Sequence, residues 1–366
     1  MTGNGFRRIL GTNAMMAMAT LAAGCGGDGQ AAPPPAPPPA SSGGSSSGGS
    51  SSSGGGGLSN PPLVFTAGDL FPTPTAVQEI YTVNLDGSGL AQLTGDGLQK
   101  FLPHFSPDGT KLLYTKFLRG GYGASNAVTD VFLFDRASGR ETQLTYGGVA
   151  VQPVWSPNGQ QIAFGTLSGN GIWLMNADGS APRMIAQPSG APDDQRWGDY
   201  LWSSDNWIYF TAAQDIGGCF KVRIDRIRPD GNGRTQITDG GPNCTPAGME
   251  QNGDADPGIS PDGKTLYSSR GLPASVPGLP GSTIRHLFKF SSDPFTPGKV
   301  ETDLSLPTKA DCIAGVPKVS PDGGRIALYL LCPADPNNGI TLTDPVGARF
   351  TFVRPGFGPD WNPVAR

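Results

Sequence analysis

The sequence predicts an all-β fold, a six-bladed β-propeller that follows a signal peptide and a tether. Three observations lead to this prediction. One hairpin phrase recurs along the chain, a second phrase alternates with it, and the first sixty residues have almost nothing apolar to bury beyond one short run. The 366-residue chain is divided accordingly into a signal peptide at 1–24, a tether at 25–60 and a propeller at 61–366.

The first phrase places a bulky residue and Ser ahead of turn residues and an apolar strand. In its copy FSPDGTKLLYT (105–115), Pro supplies a φ of about −65°, Asp can bond local backbone and Gly permits positive φ. The phrase therefore joins two antiparallel strands. Its other copies are WSPNGQQIAF (155–164), WSSDNWIYF (202–210), ISPDGKTLYS (259–268) and VSPDGGRIALY (319–329).

The second phrase is another hairpin with an Asp-Gly or Ser-Gly turn. Its clearest copies are IYTVNLDGSGLAQLT (80–94), VFLFDRASGRETQLT (131–145) and IWLMNADGSAPRMIA (172–186). The two phrases together give four short strands per repeat, at spacings of about 40–60 residues that are typical of repeat architectures. Four antiparallel strands per repeat favour a propeller.

One of the six predicted blades is split between the two ends of the chain. Trp361, Asn362 and Pro363 begin the first phrase, but its second strand does not follow them. The apolar pattern of residues 63–66 supplies that strand and leads into the hairpin at 80–94. We therefore expect the N-terminal segment to add three strands to the last blade and to close the ring, which removes open sheet edges.

The repeated P-x-W-S-P-D-G…I-A-F phrase resembles the TolB-type propeller repeat, over about residues 61–366. This repeat is found in TolB, in many bacterial envelope proteins and in propellers attached to prolyl-peptidase-like enzymes. The resemblance implies a TolB-like propeller fold. It covers the propeller alone, since TolB carries an α/β domain where this sequence has its tether.

The N-terminus has the features of an export signal. Arg7 and Arg8 precede a modestly apolar run over 9–23 that is too short to span a bilayer. The run ends in LAAGC (21–25), which resembles a bacterial lipobox and implies lipidation of Cys25; cleavage by ordinary signal peptidase is the alternative. The Pro-rich and Ser/Gly-rich residues up to 60 then form a disordered tether. We expect a lipid-anchored protein of the bacterial cell envelope, at the outer membrane and periplasm or at the cell surface.

Four further cysteines predict disulfides, because an exported chain meets an oxidising compartment. They are Cys219, Cys244, Cys312 and Cys332. The strand order places all four in connections on one face of the disc. We favour the pairs 219–244 and 312–332 among the three possible connectivities.

The same face carries the candidate binding residues. Glu250, Asp254 and Asp256 cluster on a predicted loop near the channel mouth, and such oxygen ligands could suit Ca²⁺, although acidic surface loops are common. Asp193, Asp194, Arg196 and Trp197 are a second candidate recognition edge on this face, but the favoured interpretation is a solvated loop with one packing Trp.

Charge and motif content favour a binding role over catalysis. The net charge of −4 gives no basic footprint for nucleic acid. The sequence has no G-x-S-x-G elbow and two histidines, His104 and His286, of which His104 is predicted to pack or to face the channel. We expect a monomeric, non-catalytic head that binds an envelope protein or glycan. The alternative is a glycan lyase or hydrolase with a carboxylate-based site at the channel mouth.

Overall fold

The computed structural model describes most of the predicted propeller. The described residues are 62–68, 77–122, 124–191, 196–215, 220–240, 251–272, 284–305, 309, 311–332, 335 and 337–365. All regular secondary structure in these ranges is β-strand. None of the described segments forms a helix with the length and apolar character needed to cross a membrane. The predicted signal peptide, Cys25 and tether lie outside the described residues.

The described strands form antiparallel units of four, in chain order. The first complete unit contains β4 (Lys100–Phe105), β5 (Lys111–Arg119), β6 (Val128–Asp135) and β7 (Arg140–Gln143). The second contains β8 (Ala150–Trp155), β9 (Gln161–Thr166), β10 (Ile172–Asn176) and β11 (Arg183–Ala186).

Three further units are joined into one continuous sheet. The third unit contains β12 (Arg196–Trp202), β13 (Ile208–Asp215), β14 (Phe220–Ile227) and β15 (Thr235–Gln236). The fourth contains β16 (Gln251–Ile259), β17 (Thr265–Gly271), β18 (Arg285–Ser291) and β19 (Glu301–Asp303). The fifth contains β20 (Ile313–Val319), β21 (Ile326–Leu331), β22 (Gly339–Thr343) and β23 (Thr351–Arg354). Short parallel pairings of β14 with β16 and of β18 with β20 connect the three units.

The predicted split unit is confirmed. Its strands are β24 (Phe357–Trp361), β1 (Leu63–Gly68), β2 (Gln78–Val83) and β3 (Ala91–Gln92), in that order across the sheet. β24 and β1 are antiparallel, with Leu63 opposite Trp361. The Asn362 amide donates to the Pro62 carbonyl at 2.8 Å, so the two ends of the chain meet as the two sides of one hairpin.

The first strands of the units surround a central axis. Each contacts the first strand of the next unit, in the order β4, β8, β12, β16, β20, β24 and back to β4. This is the arrangement of a β-propeller with a central channel. Because the strands alternate in direction, all turns between first and second strands lie on one side of the disc, here called the turn face. The connections from second to third strands lie on the other side, the loop face.

The Ser of the first phrase has the same hydrogen bonds in every complete unit. Its hydroxyl accepts a bond from a backbone N–H four or five residues later and donates to the acidic or amide side chain two residues on. In the second unit, Gln161 N–H donates to Ser156 Oγ at 2.9 Å, and Ser156 Oγ donates to Asn158 Oδ1 at 2.8 Å. The other copies are Ser106, Ser203, Ser260 and Ser320. The repetition in sequence is therefore a repeated device that holds the hairpins of the turn face.

The core lies between neighbouring units. Leu63 and Phe65 of β1 pack in one cluster with the fifth unit, whereas Val64 between them packs in another cluster with the first unit. All three side chains are at most 1% exposed. Since adjacent strand residues point to opposite faces of a sheet, this one strand seals both sides of the closing unit.

A binding site in the central channel

Each first strand is interrupted at the same place by a β-bulge. The strand register shifts between Ala255 and Gly258 in β16, and equivalent shifts occur in the other five first strands. One residue per bulge has left-handed backbone with φ between 50° and 60°: Leu102, Gln152, Asp199, Asp256, Val316 and Gly358. Residues other than glycine rarely adopt this conformation, which costs on the order of 1–3 kcal/mol for each of the five that are not Gly358. Strain of this kind clusters at functional sites, which directs attention to the channel.

The bulges direct five side chains into one cavity in the channel. The cavity encloses about 330 Å³, including the solvent at its opening. It is lined by the bulge residues Leu102, Gln152, Asp199, Asp256 and Val316, together with His104, Tyr200, Pro257 and Lys318. The lining is therefore polar on several sides and carries both signs of charge.

Gln152 and Asp199 hold each other across the boundary of the second and third units. Gln152 Nε2 donates to Asp199 Oδ1 at 2.9 Å, and the Asp199 amide donates to Gln152 Oε1 at 3.0 Å. Burial raises the pKa of the Asp199 carboxyl. The closed pair fixes the Asp199 carboxylate at the cavity wall.

Asp256 is the second carboxyl of the cavity. Burial, followed by the charge of Asp199, raises the pKa of Asp256 to about 7. The Val316 amide donates to Asp256 Oδ2 at 3.3 Å. Because Asp199 and Asp256 interact, the two carboxyls titrate as a pair and one proton is exchanged near neutral pH.

Two cations face these carboxyls. The Lys318 side chain is 9% exposed, and no described residue gives its ammonium a hydrogen bond or an ion pair. Arg285 is engaged by Ser269, whose hydroxyl accepts from Arg285 Nε at 2.7 Å and whose carbonyl accepts from Nη2 at 2.7 Å. Burial lowers the pKa of both Lys318 and Arg285. Lys318 therefore presents a nine-tenths buried ammonium to the cavity without an ion pair, and Asp360 is the acidic group whose charge acts on it most strongly, ahead of Asp256 and Asp199.

His104 faces the channel, as predicted. Its Nδ1 lies 3.6 Å from Asp360 Oδ2, and the same oxygen accepts the Phe105 amide at 2.9 Å. Burial and the charge of Lys318 lower the pKa of His104, so its ring is neutral at neutral pH. Burial, followed by the charges of Asp199 and Asp256, raises the pKa of Tyr122, and its buried hydroxyl has no partner among the described residues.

The predicted loop position of the acidic cluster is wrong. Asp254 and Asp256 both lie in β16, and Glu250 falls outside the described residues. Asp254 is fully buried and accepts from Arg270 Nε at 2.8 Å and from Ser268 Oγ at 2.6 Å. The bulge after Ala255 separates the two carboxyls, so Asp254 supports the sheet and Asp256 lines the channel. Among the residues that the structure describes, no group of three or more His, Cys, Asp or Glu side chains is arranged to hold a metal ion.

The second predicted edge is also placed differently. Asp193 and Asp194 lie outside the described residues, and Arg196 begins β12. Trp197 is 3% exposed and packs against Phe210 with ring centroids 4.6 Å apart. The packing of Trp197 agrees with the alternative in which this indole belongs to the core, and not with its role as a candidate binding residue; the strand begins earlier than the sequence pattern indicated.

The disulfide predicted between Cys312 and Cys332 is present, with an S–S distance of 2.08 Å. It joins the start of β20 to the end of β21 on the loop face. Cys219 and Cys244 lie outside the described residues, so their pairing stays a prediction.

The sequence carries a signal for the channel residues that pattern reading missed. In five of the six first strands, the bulge residue stands directly before the Pro of the repeated phrase. The sixth is Asp199, which precedes Tyr200. Gln152 and Asp199 could therefore have been singled out as varied residues at a fixed position of the repeat.

Fold and site together define a β-propeller with a charged channel. Comparison with known proteins shows which propellers this chain resembles. A stretch of 116 residues is 32% identical to the TolB homolog of Chlorobium luteolum, covering 31% of this chain and 24% of that protein. A 116-residue stretch is 28% identical to the Tol-Pal system protein TolB of Desulfosudis oleivorans. The match spans about a quarter of the length of these relatives.

Solved structures agree on the fold. The crystal structure of TolB from Acinetobacter baumannii superposes with a TM-score of 0.58 at 16% identity, covering 82% of this chain and 66% of that one. No family model matches the chain. This chain therefore has the fold of the TolB β-propeller and is similar in sequence to TolB homologs over about a third of its length.

Proposed function

We propose that this protein is an extracytoplasmic binding module, whose channel opening and loop face receive an envelope protein or glycan. The observation that carries the proposal is the set of six bulges, which share one left-handed backbone conformation but carry five different residue types. A purely structural position would be filled alike in every unit. Variable residues on a rigid repeated scaffold are typical of binding sites.

The position of Pro62 supports the same orientation. Pro62, the first described residue, hydrogen-bonds to Asn362 on the turn face. We propose that residues 25–60 lead from there to a lipidated Cys25 in a membrane of the bacterial envelope. The loop face then points away from the anchor. Intact mass of the membrane-bound protein tests this step, and an unmodified N-terminus near residue 25 would contradict it.

Site-directed photocrosslinking in living cells tests the binding face. A photoreactive amino acid replaces Val149 or Leu118, exposed on the loop face, or as matched controls Val346 or Val364, exposed on the turn face. We expect one discrete crosslinked product from the loop-face positions and none from the turn-face positions. Equal crosslinking from both faces, or crosslinking from the turn face alone, would overturn the proposal.

A second candidate function rests on the carboxyl pair. An acid whose pKa lies near the working pH suits general acid–base catalysis, and Asp256 has this property beside Asp199. The corresponding activity is a glycan lyase or hydrolase. Its test is turnover of a panel of glycans by the parent protein and by Asp256→Asn, with loss of turnover in the variant as the supporting result.

A further inference from the structure

The charges of the cavity are opposite in sign but do not meet. Lys318 faces the cavity from β20, and Asp199 and Asp256 face it from β12 and β16. No carboxylate of the described residues lies within ion-pair distance of the Lys318 ammonium. Buried charges are ordinarily paired, because an unpaired buried charge is costly. A charged ligand placed between Lys318 and the two carboxyls would therefore give these buried groups the partners that they lack.

A ligand with a single charge does not match this space. An anion would pair with Lys318 but would lie near Asp199, and a cation would pair with the two carboxyls but would lie near Lys318. Both charges are satisfied at once by a molecule that carries an ammonium and a carboxylate a few ångströms apart. We infer that the channel cavity binds a small zwitterionic amino acid, with its carboxylate toward Lys318 and its ammonium toward Asp199 and Asp256.

The remaining wall limits the ligand's size and orientation. Gln152 fixes Asp199 through two hydrogen bonds, so this acceptor is preorganised for an ammonium. Leu102, Pro257 and Val316 contribute apolar surface. Because the 330 Å³ includes open solvent at the channel mouth, the enclosed part is much smaller, and glycine, the smallest zwitterionic amino acid, is the first ligand to test. This inference goes beyond the proposed function, because a free amino acid in the channel would be a second ligand beside the envelope protein or glycan received at the loop face.

Titration calorimetry of the mature full-length protein in detergent tests the inference. Glycine is the probe, and acetate, methylammonium, N-acetylglycine and glycinamide each lack one of its two charges. We expect saturable binding of glycine, weakened roughly tenfold or more in every analogue, since each loses one charge-assisted contact. Acetate binding as tight as glycine would show an anion site, and methylammonium binding as tight would show a cation site. Either result, or no saturable binding of glycine or alanine, would overturn the inference.

Three variants assign the contacts. Lys318→Met and Asp199→Asn should each weaken glycine binding roughly tenfold or more. Lys264→Met, the same substitution at an exposed turn-face lysine, should leave glycine affinity unchanged. Circular dichroism and melting curves confirm that each variant is folded, and Asp199→Asn provides a second test should Lys318→Met fold poorly. Unchanged affinity in both channel variants would overturn the inference, whereas the photocrosslinks from Val149 and Leu118 would still report on the proposed function.

Discussion

The turn face and the central channel are built by the same strands, yet they use repetition in opposite ways. On the turn face, five serines make the same two kinds of hydrogen bond, so backbone and side chain repeat together. In the channel, the backbone repeats in six bulges while the side chains differ. On the turn face, the structure determines which residue stands at the repeated position. In the channel, the residue at the repeated position differs between units and can be selected for binding a ligand.

The closing strand gives the largest effect, because the turn-face hairpin of the split unit holds the two chain ends together. Deleting residues 61–68 from the mature chain removes Leu63, Val64 and Phe65, each worth about 1.5–3 kcal/mol of burial. The sum is comparable with the whole stability of a domain. We expect the cooperative melting transition to be lost or moved to a much lower temperature. Deleting residues 30–55 is the control and should leave the transition unchanged.

The elements of the fold were predictable because their signals are local and repeated. Turn residues and alternating apolar residues recur in each unit, so the hairpins, the split unit and the Cys312–Cys332 disulfide could be predicted. The side chains that line the channel were harder to predict, although the bulge residues stand at a fixed position of the repeat, because a bulge adds a residue and exchanges the faces of the strand beyond it. For that reason Asp254 is buried against Arg270 while Asp256 lines the channel. Pairing across units, as between Gln152 and Asp199, is a property of the assembled ring.

The channel, unlike the turn face, should make the stability of the protein depend on pH, and Asp256→Asn tests this. The folded protein holds a proton on Asp256 up to about pH 7, whereas the unfolded chain releases it near the ordinary value of 3.8. The native state thus binds more protons between these values, and the stability of the parent falls as pH rises through this window. Arg285, Lys318 and Asp199 face the same carboxyl and are retained in the variant.

We expect Asp256→Asn to gain stability relative to the parent between pH 5 and pH 8, by roughly 1–4 kcal/mol of unfolding free energy, because the parent continues to lose stability over this range. Thermal melts at the two pH values measure the difference. A variant that is less stable than the parent at pH 8 would show that the Asp256 carboxylate is a structural group.

The serines of the turn face, in contrast to Asp256, should stabilise the protein and should do so independently of pH. Ser156→Ala leaves the Gln161 N–H without its side-chain acceptor, which costs about 1–3 kcal/mol of unfolding free energy at any pH between 5 and 8. Ser88→Ala is the matched control, since Ser88 is exposed and bonds to Asp86 in a surface turn. Urea unfolding of the two variants measures both losses. Equal losses would mean that the repeated Ser does not hold the hairpin.

One pair of neighbouring residues tests most directly whether the channel serves ligand binding and the turn face serves stability. Lys318 and Ser320 are two positions apart at the end of one strand, and Lys318 faces the channel while Ser320 holds the turn. Glycine titration and urea unfolding are carried out on Lys318→Met and Ser320→Ala in parallel. We expect Lys318→Met to lose glycine binding with unchanged or higher stability, and Ser320→Ala to lose about 1–3 kcal/mol of stability with unchanged binding. Loss of stability in Lys318→Met with glycine binding retained would contradict the account.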